Sequence, residues 1–174
     1  MIKSIPLSFI RDRARLTWGE AAWGYHQKHL SWRDAIELAC DCVIDGNIDS
    51  CVLELAGTSK SEAHQVGELL DKLAANSGVL DEACAKAKWL YLILAWLFEN
   101  RTTDIDALEA VEMIYADFDY PEEVAPFIRY MPVSDGYDPN VHTSNENQSR
   151  LMGKWANYLA VSAKVFSPRS DLPR

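Results

Sequence analysis

The chain lacks any apolar run long enough to cross a bilayer. Its longest, residues 89–98, is ten residues, about half of the roughly 20 that a membrane helix needs. Cysteine is scarce as well. Cys40, Cys42, Cys51 and Cys84 all lie among apolar or helical neighbours, so they read as reduced, small core residues and imply no disulfide framework. The first seven residues hold neither a sustained apolar stretch nor a small-residue cleavage site, so no secretory signal is expected and the cytoplasm is the expected compartment. The glycine patterns that cradle phosphates, the His-Glu pair of metalloproteases and the nucleophile-elbow pattern are all missing, which argues against the enzyme classes that use them. No convincing polar–apolar alternation and no internal repeat is present, which excludes a sheet-based architecture.

What is present is an ordinary globular mixture, 48% apolar and 25% charged, in 174 residues. That length suits one domain with a single substantial core. Residues 89–98 are apolar at every position, so a helix there is apolar on all sides and has to be wrapped by other elements. Ala83, Cys84, Ala85 and Ala87 extend it towards its start, where Ser77 and Asp81 are candidate N-caps. The expected fold is all-α: a single-domain helical bundle of seven or eight helices around this central apolar helix. Residues 1–15 read as a lead-in, 132–148 as a polar surface loop and 167–174 as a tail.

The wrapping helices announce themselves by caps and period. Thr17 and Glu20 have the capping-box spacing and open a helix over about 18–28, weakened by Gly24. Ser31 and Asp34 repeat the signal before Trp32, Ala35, Ile36, Ala39, Cys40, Val43 and Ile44, a stripe that Gly46 terminates. Residues 49–56 form a short helix, followed by a polar turn at 57–61. Ala63, Val66, Leu69, Leu70 and Leu73 mark another, closed near Gly78. Thr103 is placed to cap a helix whose buried stripe is Leu108, Val111, Ile114, Tyr115 and Phe118. Pro121 suits the first position of a further short helix, with Glu122 and Glu123 in its first turn. Leu151, Trp155, Leu159, Ser162 and Phe166 define a closing helix. Trp18 and Trp23, beside glycines, are the tryptophans expected to line a surface groove.

The net charge is −9, and between Glu99 and Asp138 eleven acids face two bases, a local sum of −9. The remainder of the chain is neutral. Such a field repels nucleic acid and speeds association with a basic partner; a solvated acidic face that only confers solubility is the simpler alternative. Within the stretch, Asp117, Asp119, Glu122 and Glu123 place four carboxylates in seven residues. They lack the glycine and oxygen spacing of an EF-hand. Asp135, Tyr137 and Asp138 follow in the loop, a pattern that also makes an ordinary turn. His26 and His29, with Cys40, Cys42 and Cys51 downstream, do not have the spacing of a tetrahedral zinc site, so neither a metal nor a cofactor is expected.

Residues 16–25 (LTWGEAAWGY) running into 30–39 (LSWRDAIELA), together with residues 114–132 (IYADFDYPEEVAPFIRYMP), resemble a bacterial family of uncharacterised small cytosolic proteins. That family is similar in setting to the immunity proteins of contact-dependent and polymorphic toxin systems. The resemblance spans most of the chain, carries no catalytic residues, and implies a stoichiometric inhibitor that covers the active site of a cognate, basic toxin, for example a nuclease. On that reading Asp117, Asp119, Glu122 and Glu123 are the leading contacts, with Asp135, Tyr137 and Asp138 behind them. The competing expectations are a small-ligand binder or enzyme that uses the same carboxylates, with or without His26 or His29, and a dimeric adaptor.

Overall fold

The computed structural model describes residues 5–102 and 106–168. Thr103, expected as a cap, and most of the expected tail lie outside them. Among the described residues the protein is all-α, with eight α-helices, three short 3-10 helices and no strand. No helix is long and apolar enough to cross a membrane. The chain divides into two compact units, one ending at Trp89 and one running from Leu90 to Ser167.

The first unit contains α1 (Leu7–Arg13), α2 (Trp18–His26), α3 (Trp32–Ile44), α4 (Ser50–Ala56), α5 (Val66–Asn76) and the start of α6 (Glu82–Glu99). Both capping boxes expected from sequence form: Thr17 with Glu20, and Ser31 with Asp34. Asp49 caps α4 through two amides, and Asp81 accepts from the Cys84 amide at 3.0 Å. Helix α2 packs on α5, and α3 on α4. Helix α1 buries Leu7, Phe9 and Ile10, and Arg11 reaches α3 to pair with Glu37 and Asp41. Residues 60–65, expected as part of a plain turn and the next helix, form a 3-10 helix.

The glycines beside the tryptophans serve packing rather than a groove. A Cβ on Gly24 would lie 2.1 Å from Cζ2 of Trp89, whose indole rests directly on the α2 backbone. The Trp89 N–H donates to the Glu20 carbonyl at 2.9 Å. The Glu20 carboxylate, 7% exposed, accepts from the Thr17 amide and pairs with Lys88 at 2.6 Å. Lys88 also donates to the Arg15 carbonyl. A cap, a buried ion pair and an indole thus fix the start of α2 to α6.

The second unit contains the rest of α6, α7 (Ala107–Asp117), a 3-10 helix at Ala125–Phe127, another at Pro139–Val141, and α8 (Ser144–Phe166). The core of α6 is enclosed as expected: each residue from Leu90 to Ala95 is no more than 4% exposed. Phe98 meets Trp155 of α8 edge-on at 5.0 Å, and Phe127 stacks over the same indole at 6.2 Å. The expected stripe of α7 is buried in full, with Asp106 as its cap. Two boundaries differ from the sequence reading. Residues 121–124 form a turn, so Pro121 starts no helix and Pro126 instead sits in a three-residue 3-10 helix. Helix α8 begins at Ser144, inside the expected loop, because Thr143 and Glu146 make a further capping box.

A methyl group at Gly24 meets ring atoms of a buried indole, not the end of a flexible chain. Gly24→Ala should therefore incur the upper range of overpacking, about 3 kcal/mol, which exceeds the gain of about 1 kcal/mol from removing a helical glycine. Urea denaturation should show a lower midpoint; an unchanged or higher one contradicts this packing.

Candidate functional site

The acidic stretch separates into carboxylates engaged by bases and carboxylates left to solvent. Arg129 is the main internal counter-charge. Its Nε and one terminal nitrogen donate to the two Glu112 oxygens at 2.8 and 3.0 Å, and the other terminal nitrogen donates to Asp106 at 2.6 Å. This bidentate fork ties the segment after the 3-10 helix to α7. Asp135 has a similar fate. Arg150 donates to both of its oxygens at 2.6 and 2.5 Å, and Lys154 donates at 2.8 Å. The Lys154 and Arg150 hydrogen bonds hold the Asp135 carboxyl well below the usual carboxylate range. Asp135 is therefore a strut between the loop and α8.

Its neighbours are tied down too. The Tyr137 ring lies between the Arg150 guanidinium, 4.1 Å from its centroid, and the His142 imidazole, stacked at 4.5 Å. Its hydroxyl donates to Asn147 at 2.6 Å. Asp138 accepts from the amide and side chain of Asn140 and so caps the 3-10 helix at Pro139–Val141. These three predicted contact residues hold their own loop in place, and Asp135 and Tyr137 converge on Arg150.

The four leading residues lie in a different setting. Asp117 closes α7, Asp119 follows it, and Glu122 and Glu123 sit in the next turn; all four are exposed. Asp117, Glu122 and Glu123 form no hydrogen bond or ion pair among the described residues. With no α-helix starting at Pro121, the helix dipole gives Glu122 and Glu123 no role in folding. Glu123 borders a shallow groove against α8, shared with Pro126, Lys154 and Tyr158. The other three do not line it.

Aromatic residues that the sequence did not single out stand among these acids. Asp119 and Tyr120 both adopt φ of +59°, a left-handed pair that turns the chain sharply at the end of α7. For a tyrosine this region is unfavourable and marks local strain. The turn leaves Tyr120 61% exposed, with its ring edge-on to buried Tyr115 at 5.2 Å. Tyr130, 59% exposed, lies 6.4 Å from Tyr115, and Met113 is also exposed on α7. Partial desolvation, then Tyr115, Tyr120 and Glu112, hold the Tyr130 hydroxyl above the ordinary tyrosine range. No periodic signal in the sequence reveals that Tyr120, five positions past buried Tyr115, faces outward together with Tyr130 and Met113.

The histidines and cysteines stay apart. His26 pairs with Asp71 at 2.7 Å, while His29 stacks on Trp89. The thiols of Cys40 and Cys51 point to the Ala56 and Leu69 carbonyls. Among the described residues no group of three or more His, Cys, Asp or Glu is arranged to hold a metal ion.

Asp135 generates a pH-dependent prediction. Its carboxyl is depressed in the folded state, so the pairing stabilises fully above the ordinary aspartate range and is lost as pH falls towards the depressed value. The melting temperature of Asp135→Asn should thus lie furthest below that of the parent at neutral pH, with the gap closing below about pH 4. A gap that is constant with pH contradicts the strut.

The whole arrangement from α1 almost to the end of α8 falls within one family. Residues 7–163 match the model of a family described as an uncharacterised protein conserved in bacteria, DUF2247. Neither curated proteins nor solved structures yield a match. With nearly all of its length covered, the chain belongs to this bacterial family.

Proposed function

We propose that this protein is an immunity-type inhibitor, which binds a basic toxin and covers its active site with the acidic turn that follows α7. The observation that carries the reading is the state of Asp117, Glu122 and Glu123. Their side chains are exposed and form no hydrogen bond or ion pair among the described residues, and they lie within three residues of exposed Tyr120, which with exposed Tyr130 packs near Tyr115. Charges of one sign steer a partner of the other and set the rate of encounter. Aromatic side chains with apolar faces and polar tips are the usual source of binding energy at the centre of an interface. The tip of α7 combines both, on a turn held by the Arg129 fork and by the buried stripe of α7.

In this reading Tyr120 and Tyr130 are the anchors, and Asp117, Asp119, Glu122 and Glu123 form the charged rim. Asp135, Tyr137 and Asp138 contribute indirectly, by fixing the loop. A nuclease is the natural class of toxin, because a cleft built for phosphates is complementary to clustered carboxylates.

The test begins with co-expression of the protein and the product of the gene immediately upstream, which on this reading is toxic alone and co-elutes with the protein. Reversing Asp117, Glu122 and Glu123 to lysine should then slow association about a hundredfold at low salt, with little change in melting temperature. Tyr120→Ala should act mainly on dissociation, weakening the complex by about 2 kcal/mol. Unchanged kinetics in the charge-reversed variant would sink the proposal, as would a harmless upstream product that forms no complex.

A further inference from the structure

A second concave region, of about 340 Å³, lies between the segment that follows the Ala125–Phe127 turn, the loop around Asp135 and the first turns of α8. Its volume is within the range of small-molecule sites. Leu108, Pro126, Ile128, Val133 and Leu151 give it apolar walls. Arg129, Arg150 and Lys154 also border it, against Asp106 alone among the acids, so the lining is net positive although much of it comes from the acidic stretch.

The hydrogen-bonding capacity here is unevenly used. Arg129 is committed to Glu112 and Asp106 on all three nitrogens. Asn147 accepts from Tyr137 and donates to the Pro139 carbonyl. Arg150, in contrast, engages Asp135 through a single terminal nitrogen, and Lys154 through one of three ammonium hydrogens. The side chains of Ser134, Ser144 and Gln148 form no hydrogen bond among the described residues. One carboxylate therefore serves two cations, on the wall of a hollow whose lining is part polar and part apolar.

From this we infer that the hollow binds a small monocarboxylic acid, with the carboxylate on Lys154 and Arg150 and an aromatic or branched apolar body against Leu108, Ile128, Val133 and Leu151. A dianion is disfavoured, because Asp135 already neutralises one of the two cations. A neutral apolar molecule leaves the remaining donors unpaired and desolvated. An amide is the closest neutral mimic: it keeps the shape and loses the charge-assisted bonds. The site is independent of the toxin-binding reading, since neither Tyr120 nor the leading carboxylates line it.

The experiment is calorimetric titration of the full chain with phenylacetate, 3-phenylpropionate and indole-3-acetate, each beside its amide, with backbone amide shifts followed by NMR. At least one acid should bind with a dissociation constant below about 5 mM and about tenfold tighter than its amide. The shifted resonances should centre on Ser134, Gln148 and Leu151. Lys154→Gln should weaken the acid about tenfold and leave amide binding unchanged. The inference is overturned if no acid binds, if acid and amide bind alike, or if the shifts fall elsewhere. The parent protein alone decides each of these, even where Lys154→Gln is poorly folded.

Discussion

The placement of α2 depends on a contact that its capping box does not supply: the Trp89 indole lying on Gly24, with its N–H on the Glu20 carbonyl. The same Glu20 completes the capping box and holds Lys88 in a nearly water-free pair. Removing one member of such a pair strands the other's charge, so its residues are coupled beyond their separate contributions. Because Lys88 and Trp89 are adjacent on α6, the ion pair sets the rotation of α6 and the indole sets its closeness to α2. The packing of α2 on α5 and the ion pair from α1 to α3 build outward from this fixed point.

In the second unit charge is organised by a different rule. The excess of acid is not spread evenly over a solvated face. Three bases, Arg129, Arg150 and Lys154, draw in Asp106, Glu112 and Asp135 and convert them into tethers. These exposed pairs are individually modest, but bidentate geometry and shared partners give them direction. They hold the loop and the turn in fixed positions. What they leave over is concentrated at the end of α7, where a left-handed pair of residues also pushes Tyr120 outward. Strain at Tyr120 persists because the buried α7 stripe and the contact with Tyr115 determine the chain on either side.

Much of this was legible in the sequence, and the reasons differ by element. Helices α2 and α3 announce themselves through capping boxes, and α7 through a complete apolar stripe, because both signals are local. The enclosure of α6 followed from its lack of a polar face. Helix α8 was read as starting too late, since the Thr143–Glu146 box lies within a polar stretch that resembles a loop. The packing roles of Gly19 and Gly24 are not legible locally, because their partners, Leu80 and Trp89, are distant in sequence. The acids presented the same difficulty. Asp135 and Asp117 look equivalent in composition, yet Arg150 and Lys154, one helical turn apart on α8, both donate to Asp135. Family membership and helical architecture agree with the sequence reading, while partner binding rests on the exposed turn.

The central claim is that the acids fall into two populations, one engaged in folding and one free for a partner. Equilibrium urea denaturation of two variants at neutral pH and low salt tests it most directly: the triple neutral variant Asp117→Asn, Glu122→Gln, Glu123→Gln, and the single variant Glu112→Gln. The account predicts that the triple variant stays within about 0.5 kcal/mol of the parent, while Glu112→Gln, which breaks the Arg129 fork, loses about 1 kcal/mol. A triple variant that loses as much as or more than Glu112→Gln would contradict it, because those carboxylates would then be holding the fold together and would not be free for a partner.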